Sequence, residues 1–150
     1  MRTVSLTSEE LSEIRRLYQS VMSDAAFGLL VREGSILGQR VVDAAQASAD
    51  PSQGQSFLDA AARILIELSW AHAVTFEGAQ VTVVGSVEAE RPSAGAVPTC
   101  HRLRGILRKL YEAQRGQKVY CKELECASAG GPRCLFEIGT MSGWGIGEGR

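Results

Sequence analysis

The sequence has little of three things: long apolar runs, charge of one sign, and aromatic side chains. Its apolar stretches fall far short of the ~20 residues that cross a bilayer, so no membrane span is expected. Sixteen basic against seventeen acidic residues leave a net charge of −1. Phosphate neutralisation needs a surplus of Lys and Arg, so direct nucleic-acid binding is not expected. The N-terminal region carries Glu9, Glu10 and Glu13 and has no apolar core of a secretory signal, which points to the cytoplasm. There is no Cys-x-x-Cys pair, the arrangement behind thiol–disulfide enzymes. There is also no strand–GxGxxG–helix unit for a dinucleotide. What is present is 150 residues, 45% hydrophobic and 22% charged, enough for one globular domain around one shared core.

Helix signals dominate the first half. Thr7-Ser8-Glu9-Glu10 has capping-box spacing, and Leu11, Ile14, Leu17, Tyr18, Val21 and Met22 follow at helical intervals. Ser23-Asp24 breaks this helix or caps a second one carrying Phe27, Leu30 and Val31, for which Gly34 is the expected stop. A further helix is expected over Ile36 to Ala45. The small residues Ala44, Ala45, Ala47 and Ala49 permit close helix packing. After a loop around Pro51 and Gly54, residues Phe57, Leu58, Ala61, Ile64, Leu65 and Leu68 form an amphipathic stripe. Ala71–Phe76 and Val81–Val87 then read as a β-hairpin. Glu88–Val97 reads as a polar loop with Pro92 and Gly95. Another helix carries Leu103, Ile106, Leu107, Leu110 and Tyr111 and ends at Gly116. Lys118–Glu125 and Cys134–Ile138 are expected strands around the turn at Gly130-Gly131-Pro132. The expectation is an α+β fold, N-terminal helices packed on an antiparallel sheet, with one domain over residues 1–138 and a mobile glycine-rich tail over 139–150.

Chemistry concentrates in the last third. Cys121, Cys126 and Cys134 lie close together, and Cys100 is not far upstream. In a reducing compartment such clustering suggests a metal rather than disulfides. Thr99 is the expected N-cap of the helix that follows, which places Cys100 in the first turn, where the helix dipole favours a thiolate. Cys126 ends one strand and Cys134 begins the next, so a glycine turn can bring both sulfurs to one point. Zinc takes four such donors in a tetrahedron. The fourth donor stays open on spacing: Cys121 and Glu123 are two apart on one strand and share a face. All-thiolate sets are commoner, so donor chemistry alone favours Cys121. Arg102, Arg104, Lys122 or Arg133 could offset the resulting negative charge.

Pro98-Thr99-Cys100, an amphipathic helix, Gly116-Gln117-Lys118-Val119, Glu123, Cys126, Gly130-Gly131 and Cys134-Leu135-Phe136 together resemble the 4-vinyl reductase (4VR) domain family. The resemblance implies an α+β fold related to trafficking-particle (TRAPP) subunits and haem-nitric-oxide sensors. It implies binding of small, mostly hydrophobic or aromatic molecules, as in the sensor modules of aromatic-responsive transcription activators. It also implies a structural zinc held by Cys100, Glu123, Cys126 and Cys134, with Cys121 the spare. A homodimer and a separate regulatory protein are the implied partners. Candidate pocket walls are Phe57, Trp70, Phe76, Leu107, Tyr111 and Phe136, with Trp70 and Tyr111 favoured for their polar handles. His72, two residues from Trp70 on the same face, is a candidate hydrogen-bonding group. The expected function is a regulatory ligand-binding or sensor domain and not an enzyme, since three thiolates weaken the Lewis acidity of a zinc ion. The alternatives are a homodimeric interaction scaffold of TRAPP-like type and a tetrapyrrole-binding accessory protein.

Overall fold

The helix start with capping-box spacing at Thr7 forms as such, and a second capping box, at Ser56, opens a later helix. The computed structural model describes residues 1–54, 56–89 and 97–141. Helix α1 spans Ser8–Met22, and the Thr7 hydroxyl accepts from the Glu10 amide at 3.1 Å. Helix α3 spans Phe57–Glu67, and Ser56 and Asp59 cap it in the same reciprocal way. Such caps satisfy amides that have no partner within the helix.

Gly34 does not stop a helix. Helix α2 runs unbroken over Ala25–Ser48, and the two expected helices are one. The reason lies in α4, which spans His101–Arg115 and crosses α2 backbone to backbone. A Cβ at Gly34 would overlap the Arg102 carbonyl, and one at Gly105 would overlap the Val31 carbonyl. At Gly38 it would stand 3.0 Å from the Lys109 Cβ. Glycine here costs about 1 kcal/mol of helix propensity but lets the two axes approach.

The sheet has strand order β1-β2-β4-β3, antiparallel throughout, with β1 at Ala73–Glu77, β2 at Gln80–Val84, β3 at Val119–Glu125 and β4 at Cys134–Thr140. A two-residue turn with Gly78 at φ +60° joins β1 to β2. Strand β2 stops at Val84, short of the expected Val87. Gly85 at φ +69° turns the chain into a 3₁₀ turn, Val87–Ala89, which carries Glu88 inside. Strand β4 runs two residues past the expected end at Ile138. Val81, Val83, Cys134, Phe136 and Ile138 line the buried sheet face against Leu103, Ile106, Leu107, Leu110 and Tyr111 of α4. Among the described residues the architecture is α+β: four α-helices and a four-stranded antiparallel sheet. Pro92 and Gly95 of the expected loop, and residues 142–150 of the expected tail, lie outside the described residues. No helix among the described residues is long and apolar enough to cross a membrane.

Candidate metal centre

Helix α4 begins one residue later than the sequence suggests. Cys100 is its N-cap, not a residue of its first turn, and makes no side-chain capping hydrogen bond. Thr99 does not cap either; its hydroxyl stands 3.6 Å from the Cys126 sulfur. A remote side chain does the capping. The Glu88 carboxylate accepts from the Leu103 amide at 2.8 Å and the Arg102 amide at 3.3 Å. Cys100 is therefore left free to face the sheet.

There it meets the hairpin of β3 and β4. The Cys100 sulfur is 3.6 Å from that of Cys134 and 3.9 Å from that of Cys126. With a Glu123 oxygen added, all four donor atoms lie within 4.8 Å of one another. The metal–sulfur distance of ~2.3 Å in a zinc tetrahedron requires sulfurs ~3.8 Å apart, so the observed spacings suit such an ion. The Ala127 amide donates to the Cys134 sulfur at 3.3 Å, and the Ser86 and Ser128 hydroxyls stand 3.3 and 2.9 Å from Cys100 and Cys126. These neighbours orient the thiols.

The donor set calls for a cation. Both Glu123 oxygens are shielded from water and lack a hydrogen-bond partner among the described residues, which is costly for an ionised carboxylate. Burial and the adjacent Cys126 push the Glu123 carboxyl up to about 8. Hydrogen bonds from Cys100 and Cys134 hold the Cys126 thiol far below its ordinary value. The Cys100 thiol is raised by its hydrogen bonds to Cys126 and Cys134 and by burial. At Cys134 the bond to Cys100 lowers the value, but the bond to Cys126 and burial outweigh it and push it up to about 12. Without a positive ion, one thiolate forms at the expense of its neighbours. A divalent ion would allow all of them to ionise.

Cys121 is not part of this group. It opposes Ile138 across the ladder, while Glu123 opposes Phe136. Two residues along a strand share a face but stand ~6.7 Å apart, too far to serve as equivalent donors. The Cys121 thiol packs against the core, and burial raises it well above its ordinary value.

The residues expected to line a pocket, His72 excepted, fall in one hydrophobic cluster, and the groove that His72 lines includes none of them. Leu107 and Tyr111 are fully buried in the core, and the Tyr111 hydroxyl donates to the Gly78 carbonyl at 3.1 Å. Phe76 packs beside the Tyr111 ring, and Trp70 is half-buried against the core. Phe136 is buried and Phe57 half-buried in the same cluster. His72 is exposed and lines a groove of ≈ 470 Å³ with Ser69 and Gly85.

The sequence reading missed Glu88 and its partner. Arg102 is 3% exposed, donates to Glu33 at 2.9 Å, and faces Glu88 at 3.5 Å. Burial lifts the Glu88 carboxyl to about 7, although the Leu103 amide and Arg102 oppose the shift. A glutamate in a polar segment beside Gly85 and Ser86 carries no local mark of burial.

Residues 79–140 match the family model of the V4R domain. Comparison with curated proteins gives no match. Among solved structures, the phenol-responsive sensory domain of the transcription activator PoxR, determined with phenol, is similar in fold. Its TM-score is 0.76 at 18% identity, over 96% of this chain and 79% of that one. A vinyl-4-reductase family protein from Methanocaldococcus jannaschii has a TM-score of 0.58 at 14% identity, over 93% of this chain and 98% of that one. The family resemblance read from the sequence therefore holds. The matched segment contains all four candidate metal donors.

Proposed function

We propose that this chain is a small-molecule sensor domain stabilised by a structural zinc at Cys100, Glu123, Cys126 and Cys134. The observation that carries the reading is the joining of two features. One is a fold shared with a phenol-responsive sensory domain. The other is a buried three-thiol, one-carboxylate cluster inside the V4R match. A bound zinc would supply a fixed positive centre, satisfying the donors and tying the start of α4 to the β3–β4 hairpin. The chain's own part is orientation: Ser86, Ser128 and the Ala127 amide hold the sulfurs, and Glu88 anchors the helix start. Small-molecule recognition is the expected role, since three thiolates and a carboxylate leave little Lewis acidity for catalysis. The reading extends to a cytoplasmic homodimer.

Native mass spectrometry of freshly purified protein tests this. One zinc per chain and a retained small organic mass are expected. A folded protein that carries neither, and binds no small apolar molecule when offered one, contradicts the proposal.

A further inference from the structure

We propose that the groove between α1 and α2 binds a small apolar molecule of about single-ring size that carries one hydrogen-bond donor, received by Glu33. This rests on the small-molecule reading above and gives it a place and a head-group chemistry. The groove holds ≈ 290 Å³, near the lower end of the ~300–1,000 Å³ of ordinary ligand sites. Leu11, Ile14, Ile36 and Leu37 form its walls. Ile36 is 75% exposed and Leu37 42%. Covering such side chains is worth ~1.5–3 kcal/mol each when complete, so an apolar occupant recovers part of that.

The polar end decides the head group. Tyr18, Glu33 and Arg102 converge there. Arg102 is almost wholly buried, and its guanidinium is directed to Glu33, Glu88 and the Leu11 carbonyl. The cation is thus enclosed behind the wall. Glu33 keeps 31% of its side chain exposed. The Tyr18 hydroxyl donates to one of its oxygens at 2.9 Å and Arg102 to the other at 2.9 Å. Each carboxylate oxygen has a second acceptor site. The charge an occupant meets is therefore negative, and the groups on offer are acceptors. A hydroxyl or an ammonium is satisfied there, whereas a carboxylate is repelled. The same Arg102 links Glu33 to Glu88 and, through Ser86, to the Cys100 sulfur. The groove is thus linked to the candidate metal centre through Glu88, whose carboxylate meets Arg102 and whose backbone amide donates to the Ser86 hydroxyl.

Amide chemical-shift mapping on the zinc-loaded full chain tests the site with three probes: benzyl alcohol, benzylamine and benzoate. The alcohol, the amine or both should shift amides of α1 and of residues 29–37, with benzoate at least about tenfold weaker, a gap of ~1.4 kcal/mol. Glu33→Gln should reduce amine binding by about the same factor. Ile14→Trp fills the groove with Glu33 and Arg102 themselves unchanged and should abolish binding of all three. Equal binding of benzoate overturns the head-group assignment. Shifts confined to Trp70, His72 or α4 overturn the site and leave the sensor reading standing. So does silence of every probe while native mass spectrometry still retains an organic mass. Self-association that covers α1 and α2 and is broken by Ile36→Asp replaces the small molecule with a second copy, and overturns the proposal.

Discussion

Glu88 and Glu123 are two carboxylates taken out of water, and they are satisfied in different currencies. Glu88 has two backbone amides and a guanidinium, while the Glu123 oxygens lie beside three cysteine sulfurs with no hydrogen-bond partner among the described residues. Cys126→Ser or Cys134→Ser should therefore lose zinc, measured as metal per chain after gel filtration, whereas Cys121→Ser keeps it. Glu123→Ala should weaken retention against a competing chelator; zinc loss from Cys121→Ser with Glu123→Ala harmless would reverse the donor assignment. Glu88 yields a pH prediction. Its folded-state value, about 7, lies above the ordinary carboxyl value of 4.5. The folded state thus holds the proton more tightly, and Glu88's contribution to stability falls as pH rises between those values. The stability of the parent chain relative to Glu88→Gln should drop by roughly 2–3 kcal/mol from pH 5 to pH 8 in urea titrations. A flat difference would mean that Glu88 titrates as an exposed carboxyl. Three of the four candidate donors were legible from cysteine clustering. Glu123 was not separable from Cys121 by spacing, because period two marks the face of a strand and not the rung. Glu88 was invisible because its partners lie on α4, far along the chain.

Elements were legible where their signals are local. Thr7/Glu10 and the stripe from Phe57 to Leu65 work within a few residues of themselves, and α1 and α3 form as read. Gly34 defeats such reading, since glycine either ends a helix or admits a neighbour, and only the neighbour decides. Cys100 shows the same limit, because its cap comes from Glu88 and not from Thr99. The crossing of α2 and α4 gives a paired test. Gly34→Ala and Gly105→Ala force backbone apart and should each cost about 2–3 kcal/mol in urea unfolding of the zinc-loaded protein. Gly28→Ala, in the same helix with nothing within 4 Å of its added methyl, should be neutral or stabilising by up to about 1 kcal/mol. Equal effects at the three positions would mean that the close crossing carries no energy.

At the scale of the whole molecule, the topology brings together groups from opposite ends of the second half: the start of α4, the last residues of β3 and the first of β4. Order and class of the elements sufficed to foresee α+β, but not the β1-β2-β4-β3 order that puts β4 inside the sheet, next to the Cys100 end of α4. A structural zinc contributes ~10 kcal/mol or more of apparent binding energy, against a net stability of ~5–15 kcal/mol for a domain. Chelation should thus release amide protection across α4, β3 and β4 in hydrogen exchange before it does so in the α1–α3 region. Uniform protection with and without chelator would show that the core alone holds the hairpin. The most direct test of the account is elemental analysis of the folded, freshly purified chain. One zinc per chain, lost in Cys134→Ser and kept in Cys121→Ser, is the predicted result; a folded parent chain with no stoichiometric metal contradicts it.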